Sequence, residues 1–403
     1  MGKKERILLL LLAAVNFTHI LDFMIMMPLG NYLMPYFHIS AQQFSFIVAS
    51  YTLSAGISGF TAAFFVDNYD RKKVLIFAYV GFVLGTLICG IAPTYTTLLC
   101  ARIFAGIFGG LIGAQVLSIV ADTFSYERRG MAMGTLMSAF SLASIVGVPL
   151  GLFLATRLSW HAPFLLVGGI GLVLIPLLIK FLPSVSGHLS GQDRPKATEV
   201  IGQIMRNRSQ LLALSLGGLL MLGHFLIIPF LNPFMEFNVG FHKDQTMWIY
   251  TVGGILTFFS SPLVGKLSDK YGKQRVFVMF VLFSLIPVFL ITHMPPIPFY
   301  YVLIVTGIWF VLSTGRSIPA QAMISNVVEP SQRGSFMSFN SSIQQLFTGM
   351  ASLIAGAIVI KEPSGKIAHY NWVGYLSIIL VCCSIFVARA MYRSQERTIA
   401  EAA

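Results

Sequence analysis

Runs of about 20 apolar residues, each long enough to cross a ~30 Å hydrocarbon layer as a helix, recur along the whole chain, with polar residues gathered into short segments between them. Twelve such spans are predicted, at roughly residues 7–31, 43–66, 74–93, 96–121, 131–156, 162–182, 210–235, 245–267, 275–293, 298–325, 335–360 and 369–391. The run from 275 to 325 contains several prolines and divides least cleanly. A transmembrane β-barrel would show segments of about 10 residues alternating apolar and polar. These runs are instead continuous and rich in glycine, which helices in lipid tolerate. The expected fold class is therefore an all-α integral membrane protein with twelve transmembrane helices. The apolar stretch after MGKKER continues through FMIMMPLG without a small-residue cleavage site, so it reads as the first span and not as a signal peptide.

Charge changes the picture by fixing direction. Only 10 % of the 403 residues are charged, against 56 % hydrophobic, yet the net charge is +12. In a soluble protein that surplus would suggest nucleic acid. With the amino terminus inside, the outer loops hold Arg157, Lys243, Lys361 and Lys366, Arg102 and Arg316 lie within spans, and the rest of the 27 Lys and Arg residues fall on cytoplasmic segments. This positive-inside asymmetry accounts for the basic balance as topology, puts both termini in the cytoplasm and removes the case for nucleic-acid binding. Cys89, Cys100, Cys382 and Cys383 lie in apolar spans at spacings that suit neither zinc nor a disulfide framework. No nucleotide-binding loop, metal-ligand cluster or nucleophile motif is evident, so no cofactor, metal or enzymatic activity is expected.

The longest polar connection, PSVSGHLSGQDRPKATEVIGQIMRNRS, follows the sixth span and reads as a cytoplasmic linker. One plan recurs on either side of it. MMPLGNYLM at 26–34 resembles IIPFLNPFM at 227–235, with Pro28 on Pro229 and Asn31 on Asn232 at an offset of 201. Asp67 matches Asp269 at 202, and Arg129-Gly130 matches Arg333-Gly334 at 204. One offset serving three separated places indicates a duplicated unit. The chain thus divides into a six-helix bundle at 1–182, a linker at 183–209, and a second six-helix bundle with a short cytoplasmic tail at 210–403.

With these residues in view, the sequence resembles the major facilitator superfamily of transporters over essentially its whole length. GKLSDKYGKQR at 265–275 is similar to that family's loop signature, Gly-x-x-x-Asp-Arg-x-Gly-Arg-Arg/Lys. AFFVDNYDRKK at 63–73 is a looser copy, with Ala63 and Asp70 at glycine positions and Asn68 at a basic one. RIFAGIFGGLIGA at 102–114 resembles the Arg-x-x-x-Gly motif of drug and metabolite proton antiporters, and SIVGVPLGLFLATRLSWHAPF at 144–164 resembles the Gly-x-Pro-x-Gly form of their fifth-span motif. The resemblance implies two pseudo-symmetric six-helix bundles, the major facilitator fold, with a central cavity lined by helices 1, 4, 7 and 10. It also implies that Gly147, Pro149 and Gly151 let the halves hinge and seal.

A charge in hydrocarbon costs at least ~2.5 kcal/mol on insertion scales, so it persists where it has a partner, water or a task. Asp22, Arg102 and Arg316 lie in the first, fourth and tenth spans, all cavity helices on the family plan. Asp22 stands nine residues before Asn31, and Arg102 seven after Tyr95. At ~1.5 Å per residue both lie roughly 10 to 14 Å below the outer surface, where they can pair. A nearby cation favours an ionised carboxylate and burial a neutral one, so Asp22 with Arg102 is expected to couple proton uptake and release to conformation; the plainer reading is a static ion pair tying two helices. Arg316, near midplane, either binds an anionic or polar substrate group or satisfies a neighbouring carbonyl or amide. His19, one turn before Asp22, joins the proton path or is simply hydrogen-bonded, and His224 along the cavity carries the same two readings. Asn31, Gln115, Asn232, Asn340, Gln344 and Gln345 are cavity candidates that equally suit hydrogen bonds between helices. Met24, Met26 and Met27 offer adaptable surface, while Gly106, Gly109, Gly110 and Gly113 most simply allow close helix crossings.

The charged loops remain. Asp67 is expected to face the start of the eleventh helix near Gly334 and Ser335, and Asp269 the start of the fifth near Gly130 and Met131, where a positive helix end favours a carboxylate by roughly 0.3 to 1 kcal/mol. The resemblance adds Arg71 toward Asp122, and Lys270 and Gly272 in the second copy, giving each half a conformational latch in place of a mere positive-inside anchor. The expected function is secondary active transport: proton-coupled export of small organic molecules, drugs, sugars or metabolites, by alternating access. A proton symporter or uniporter for a metabolite is the same-fold alternative, and a non-transporting receptor or a channel fits a duplicated, latched plan less well. The expected setting is the bacterial inner membrane, as a multi-pass monomer whose partners are its small-molecule substrate, protons and the lipid bilayer.

Overall fold

The computed structural model describes residues 2–62, 64, 66–124, 135–136, 139–186, 202, 204–328 and 333–402. Among these, eleven helices are long and apolar enough to cross a membrane: α1 (Lys4–Tyr36), α2 (Ala41–Ala62), α3 (Arg71–Gly90), α4 (Tyr95–Val120), α5 (Ala139–Arg157), α6 (Ala162–Phe181), α7 (Arg208–Val239), α8 (Lys243–Tyr271), α9 (Lys273–Thr292), α10 (Phe299–Ser325) and α12 (Tyr370–Ser394). Between the last two runs α11 (Arg333–Ile358), a helix of 26 residues in which Asn340, Gln344, Gln345 and several serines dilute the apolar content. This is the expected all-α membrane architecture. A two-stranded hairpin, β1 (Ile360–Lys361) with β2 (Ile367–Ala368), closes the turn from α11 to α12.

Proline decides where two of these helices bend. It lacks an N–H and its ring crowds the carbonyl four residues back, which favours a local break. Pro176, Pro262, Pro287 and Pro319 sit within unbroken helix in α6, α8, α9 and α10, whereas α1 and α7 yield. In α1 the yield is a single 3-10 turn, Met27–Leu29 with Pro28 inside it, after which helix resumes at Gly30–Tyr36. The first crossing therefore continues past residue 31, the end expected from hydropathy. In α7 the break falls just before Ile228–Phe234, with Pro229 in the first turn of the resumed helix, followed by a π-turn at Met235–Val239. Prolines matched at the repeat offset thus produce matched breaks.

Side chains around the two breaks share one apolar cluster, in which Met27, Leu29, Leu33 and Met34 of α1 are buried with Leu226, Ile227, Phe230, Leu231 and Phe234 of α7. Phe44 of α2 meets Phe230 edge-on at 6.1 Å between centroids. Toward the other end of the bundle the buried apolar residues divide. One cluster there draws on residues from Leu8 to Leu182, another on residues from Ile204 to Met391. Helices α2 and α11 run against each other between the two groups, from Ser45 facing Gly356 to Phe60 beside Phe339.

The charged loop between α2 and α3 is tied down by Asp70. Its carboxylate caps α3 by accepting from the Lys72 amide at 2.8 Å, and also accepts from the Val185 amide at 3.2 Å and from the Ser184 hydroxyl. The Arg71 amide returns a bond to the Val185 carbonyl at 3.3 Å. So a residue that departs from the loop signature fastens the α2–α3 loop to the chain leaving α6. At the matched place between α8 and α9, Gly272 has φ 91 and ψ 135, a region that side-chain-bearing residues avoid, whereas Asp70 has φ −57. The two loops share a pattern and reach it by different backbones. Residues 187–201 of the expected linker lie outside the described residues.

Partial burial works to raise the Asp70 carboxyl, but the hydrogen bonds from Ser184, Lys72 and Val185, with the Lys73 cation, outweigh it and hold the group below the usual carboxylate range. A folded value below the unfolded one means that the stabilisation is complete above the ordinary carboxylate range and is lost as pH falls through the folded value. Asp70→Ala is expected to cost about 1 kcal/mol near neutral pH, the loss of a helix cap. Thermal unfolding of wild type and variant at stepped pH checks this: the gap in midpoint should close on acidification below the carboxylate range.

Candidate functional site

Three crossings converge on one buried ion pair. Arg102 of α4 donates from Nη1 to Oδ2 of Asp22 on α1 at 2.7 Å, and Thr86 of α3 donates to Oδ1 of the same carboxylate at 3.1 Å. Asp22 is 0 % and Arg102 1 % exposed, so bulk solvent reaches neither. The Arg102 guanidinium also lies over the Tyr51 ring of α2, 4.2 Å from its centroid, a cation–π contact strengthened by desolvation. On the far side α5 comes close: a Cβ on Gly147 would meet Leu21, and one on Gly151 would meet Ile25, the residues that bracket Asp22 on α1. The fifth-span glycines therefore let α5 approach the helix that carries the acid.

Around this pair stand polar atoms without partners. His19 is 9 % exposed; its ring lies 6.4 Å from Tyr51 and edge-on to Phe82 at 5.6 Å, and its Nε2 has no hydrogen bond, nor has the Tyr51 hydroxyl. Gln115, lower on α4, is 2 % exposed with its Oε1 unsatisfied. In the second half Asn340 Oδ1 and Gln344 Nε2 of α11 are likewise unpaired and face Gly217 of α7, where a Cβ would come within 2.7 Å of the first and 3.0 Å of the second. His224 of α7 stacks on Trp309 of α10 at 5.0 Å, and Arg316 of α10 donates to the Ser284 hydroxyl of α9 at 2.8 Å.

Asn31 and Asn232 take a different place. Asn31 donates to the Glu236 carboxylate and Asn232 to the Pro28 carbonyl at 3.3 Å, so each amide bonds across the seam between α1 and α7. At the opposite end Arg71 and Asp122 form an ion pair at 2.5 Å. The backbone of Asp67 lies in a 3-10 turn, Val66–Asn68, and its side chain lies outside the described residues, as does that of Ser335 beside Gly334. Asp269 and Lys270 occupy the last turn of α8, with the Lys270 ammonium 5.2 Å from the Tyr271 ring centroid and Gly272 capping the helix. The facing segment, Gly130 and Met131, lies outside the described residues.

The Major Facilitator Superfamily profile matches residues 12–229 and again 213–402, which together take in nearly all of the chain. The chain belongs to the Major Facilitator Superfamily. It is a multi-pass membrane transporter, of a family whose members bind small-molecule substrates. It is similar to the MFS-type transporter YbcL of Bacillus subtilis, 25 % identical over 335 residues covering 82 % of this chain and 81 % of that one. It is also similar to the "Probable sugar efflux transporter" of Helicobacter pylori, 24 % identical over 247 residues, 61 % of each chain. Among solved structures the D-xylose-proton symporter superposes with a TM-score of 0.76 at 16 % identity, covering 97 % of this chain and 98 % of that one, a likeness of fold.

Sequence reasoning passed over several of the residues that complete this transporter's polar core. Thr86, Tyr51 and Trp309 are uncharged members of apolar runs and carry no signal that separates them from packing. Glu236 falls one residue past the span predicted at 210–235, and α7 continues to Val239.

Removing one member of a buried ion pair strands the other, typically at a cost of about 3–5 kcal/mol, while replacing both by apolar residues of similar size is often neutral. Asp22→Leu is expected to lower the unfolding midpoint sharply, and Asp22→Leu with Arg102→Met to recover most of the loss. Unfolding in detergent of the two single variants and the double variant measures this coupling directly.

Proposed function

We propose that this transporter exports small organic molecules in exchange for protons, with Asp22 as the protonation site and Arg102 as the cation that competes with the proton for it. The observation that carries the reading is the dry Asp22–Arg102 pair at 2.7 Å, braced by Thr86. When the helices hold this geometry the carboxylate is compensated by the guanidinium; when α1 and α4 part, a proton becomes the remaining way to neutralise the acid. The protonation state is then tied to the arrangement of the bundle, as coupling requires.

The apolar cores support the same cycle. Around the α1–α7 seam the two halves share one cluster, while toward the opposite end their clusters are separate. This is the arrangement of a carrier closed at the seam, read here as the outer face, and able to open toward the cytoplasm, where the positive-inside distribution puts both termini. On this reading the bundles at 1–182 and 210–403 rock against each other, the segment at 183–209 joins them, and Gly147, Pro149 and Gly151 serve the movement of α5. Arg71 with Asp122, and Asp67, Asp269, Lys270 and Gly272 in the paired loops, act as latches on the cytoplasmic side. Gln115, His224, Asn340 and Gln344 supply unpaired polar groups for a solute and Arg316 a cation, with His19 beside the proton site. The efflux name borne by the Helicobacter pylori relative favours export over import.

Reconstituted vesicles test the coupling. With a panel of labelled sugars, cationic dyes and organic acids, wild type is expected to move at least one solute outward against its gradient when a proton gradient is imposed. Asp22→Asn should abolish accumulation and its pH dependence while retaining solute counterflow, since exchange needs no net proton movement. An Asp22→Asn protein that accumulates solute at the wild-type rate and pH profile would sink the assignment.

A further inference from the structure

The two halves treat their buried arginines differently. Arg102 has a carboxylate at 2.7 Å, but Arg316, only 2 % exposed, has a hydroxyl, Ser284, at 2.8 Å, and among the described residues no carboxylate lies within salt-bridge distance of it. The repeat offset of 201 that carries Pro28 onto Pro229 carries Asp22 onto Gly223 and Arg102 onto Leu303, and sets Arg316 on Gln115, so the second half keeps neither member of the ion pair and has a cation of its own at a place where the first half has an amide. Arginine does not escape by losing its proton. A cation held in the apolar core with only a neutral partner leaves its charge uncompensated, a situation that proteins seldom keep without a counterion.

Its surroundings are also short of partners. Trp309, Ser313 and Arg316 recur on one face of α10 at helical spacing, and both the Trp309 indole N–H and the Ser313 hydroxyl are buried without a hydrogen bond, as is Nδ1 of His224, whose ring stacks on Trp309. Trp309 is 0 % and Ser313 4 % exposed, and Arg316 lies within electrostatic reach of His224. Three unsatisfied groups and one uncompensated cation on facing helices are the complement of an anion with several acceptor atoms.

We propose that Arg316 is the anion anchor of the substrate site and that the transported solute is a monocarboxylate with an apolar or aromatic body. The inference rests on the transport reading above. One guanidinium neutralises one negative charge, and the neighbouring donors add hydrogen bonds without adding charge, so a carboxylate is matched where a phosphate near two charges would be left half-compensated. The Trp309–His224 stack supplies an apolar wall for the body of the molecule.

The test uses the full chain in lipid nanodiscs at pH 7.5, with indole-3-acetate against indole-3-acetamide and benzoate against benzamide, read by calorimetric titration and thermal shift. Each acid is expected to bind at least tenfold more tightly than its amide. Arg316→Gln should erase that preference, Arg316→Lys should restore part of it, and Trp309→Phe, which keeps an aromatic ring and removes the N–H, should weaken the acids several-fold and the amides by a smaller factor. If Arg316→Gln does not fold, the wild-type acid-to-amide ratio and the Trp309→Phe result decide. Equal affinity for acid and amide, no binding by any of the four probes, or undiminished acid binding by a folded Arg316→Gln overturns the proposal. Proton-coupled export of a neutral solute by the same protein reconstituted in vesicles would leave the transport reading standing while this one falls; absence of any proton-coupled solute movement in those vesicles would sink the transport reading itself.

Discussion

Hydrocarbon solvates no charge, so the contact between Arg102 and Asp22 constrains how α1, α3 and α4 can be arranged around it. An acid at 0 % and a base at 1 % exposure must meet, or the fold carries two stranded ions, and each further contact to the pair adds to its hold, although Nε of Arg102 has no hydrogen-bond partner among the described residues. Thr86 fills one carboxylate position and the Tyr51 ring covers the guanidinium. Bringing four helices this close requires small residues at the crossings. Gly106 lies against the backbone of Tyr51, Gly85 against Ala105, and Gly147 and Gly151 against the neighbours of Asp22. In lipid such crossings are held by van der Waals contact and not by release of water, so close approach is itself the stabilising term. The glycines of the fourth and fifth crossings and the ion pair are one arrangement.

Duplication shows in the seam as well as in the loops. Asn31 and Asn232 are mates at the repeat offset, and each sends its amide across to the opposite half, one to Glu236 and the other to the Pro28 carbonyl. Proline breaks on both sides expose backbone and turn the helices so that the amides can reach. The exchange is only nearly symmetric, because the offset that relates the asparagines puts Pro35 where Glu236 would have its mate. The exchange therefore uses one carboxylate, Glu236 on the α7 side, which has no acid as its mate in the first half.

The fold was legible because hydrocarbon imposes a simple rule: an apolar run of sufficient length must cross as a helix, and a repeat of the same residues at one offset must build the same unit twice. Asp22, Arg102 and Arg316 were legible for the same reason, since charges inside such runs are rare enough to stand out. Thr86 and Tyr51 were not, because an uncharged polar residue costs little in a span and is common there. Asp70 illustrates a different failure. Compared with a signature, it registers as a lost glycine; only the three-dimensional position of Ser184 and Val185 shows that its carboxylate has taken over a fastening role. Glu236 lies one residue past the predicted end of the seventh span, and a π-turn that carries α7 on to Val239 brings the acid to the seam.

Asp70 and Gly272 also bear on how a duplicated scaffold acquires two distinct halves. The glycine reaches its turn through φ 91, an option closed to most residues, whereas the aspartate at φ −57 cannot follow that path and instead stabilises its turn with side-chain hydrogen bonds. Both solutions connect two antiparallel helices, so the fold tolerates the exchange. The same tolerance operates in the core, where the offset of 201 sets Gly223 against Asp22 and Arg316 against Gln115. Backbone geometry is what the repeat conserves between its copies, because crossing the bilayer demands it; side-chain chemistry at matched depths is left free to diverge. A carrier built this way can assign proton handling to one bundle and solute recognition to the other, and the rocking of the two against each other then links chemical events that never share a residue.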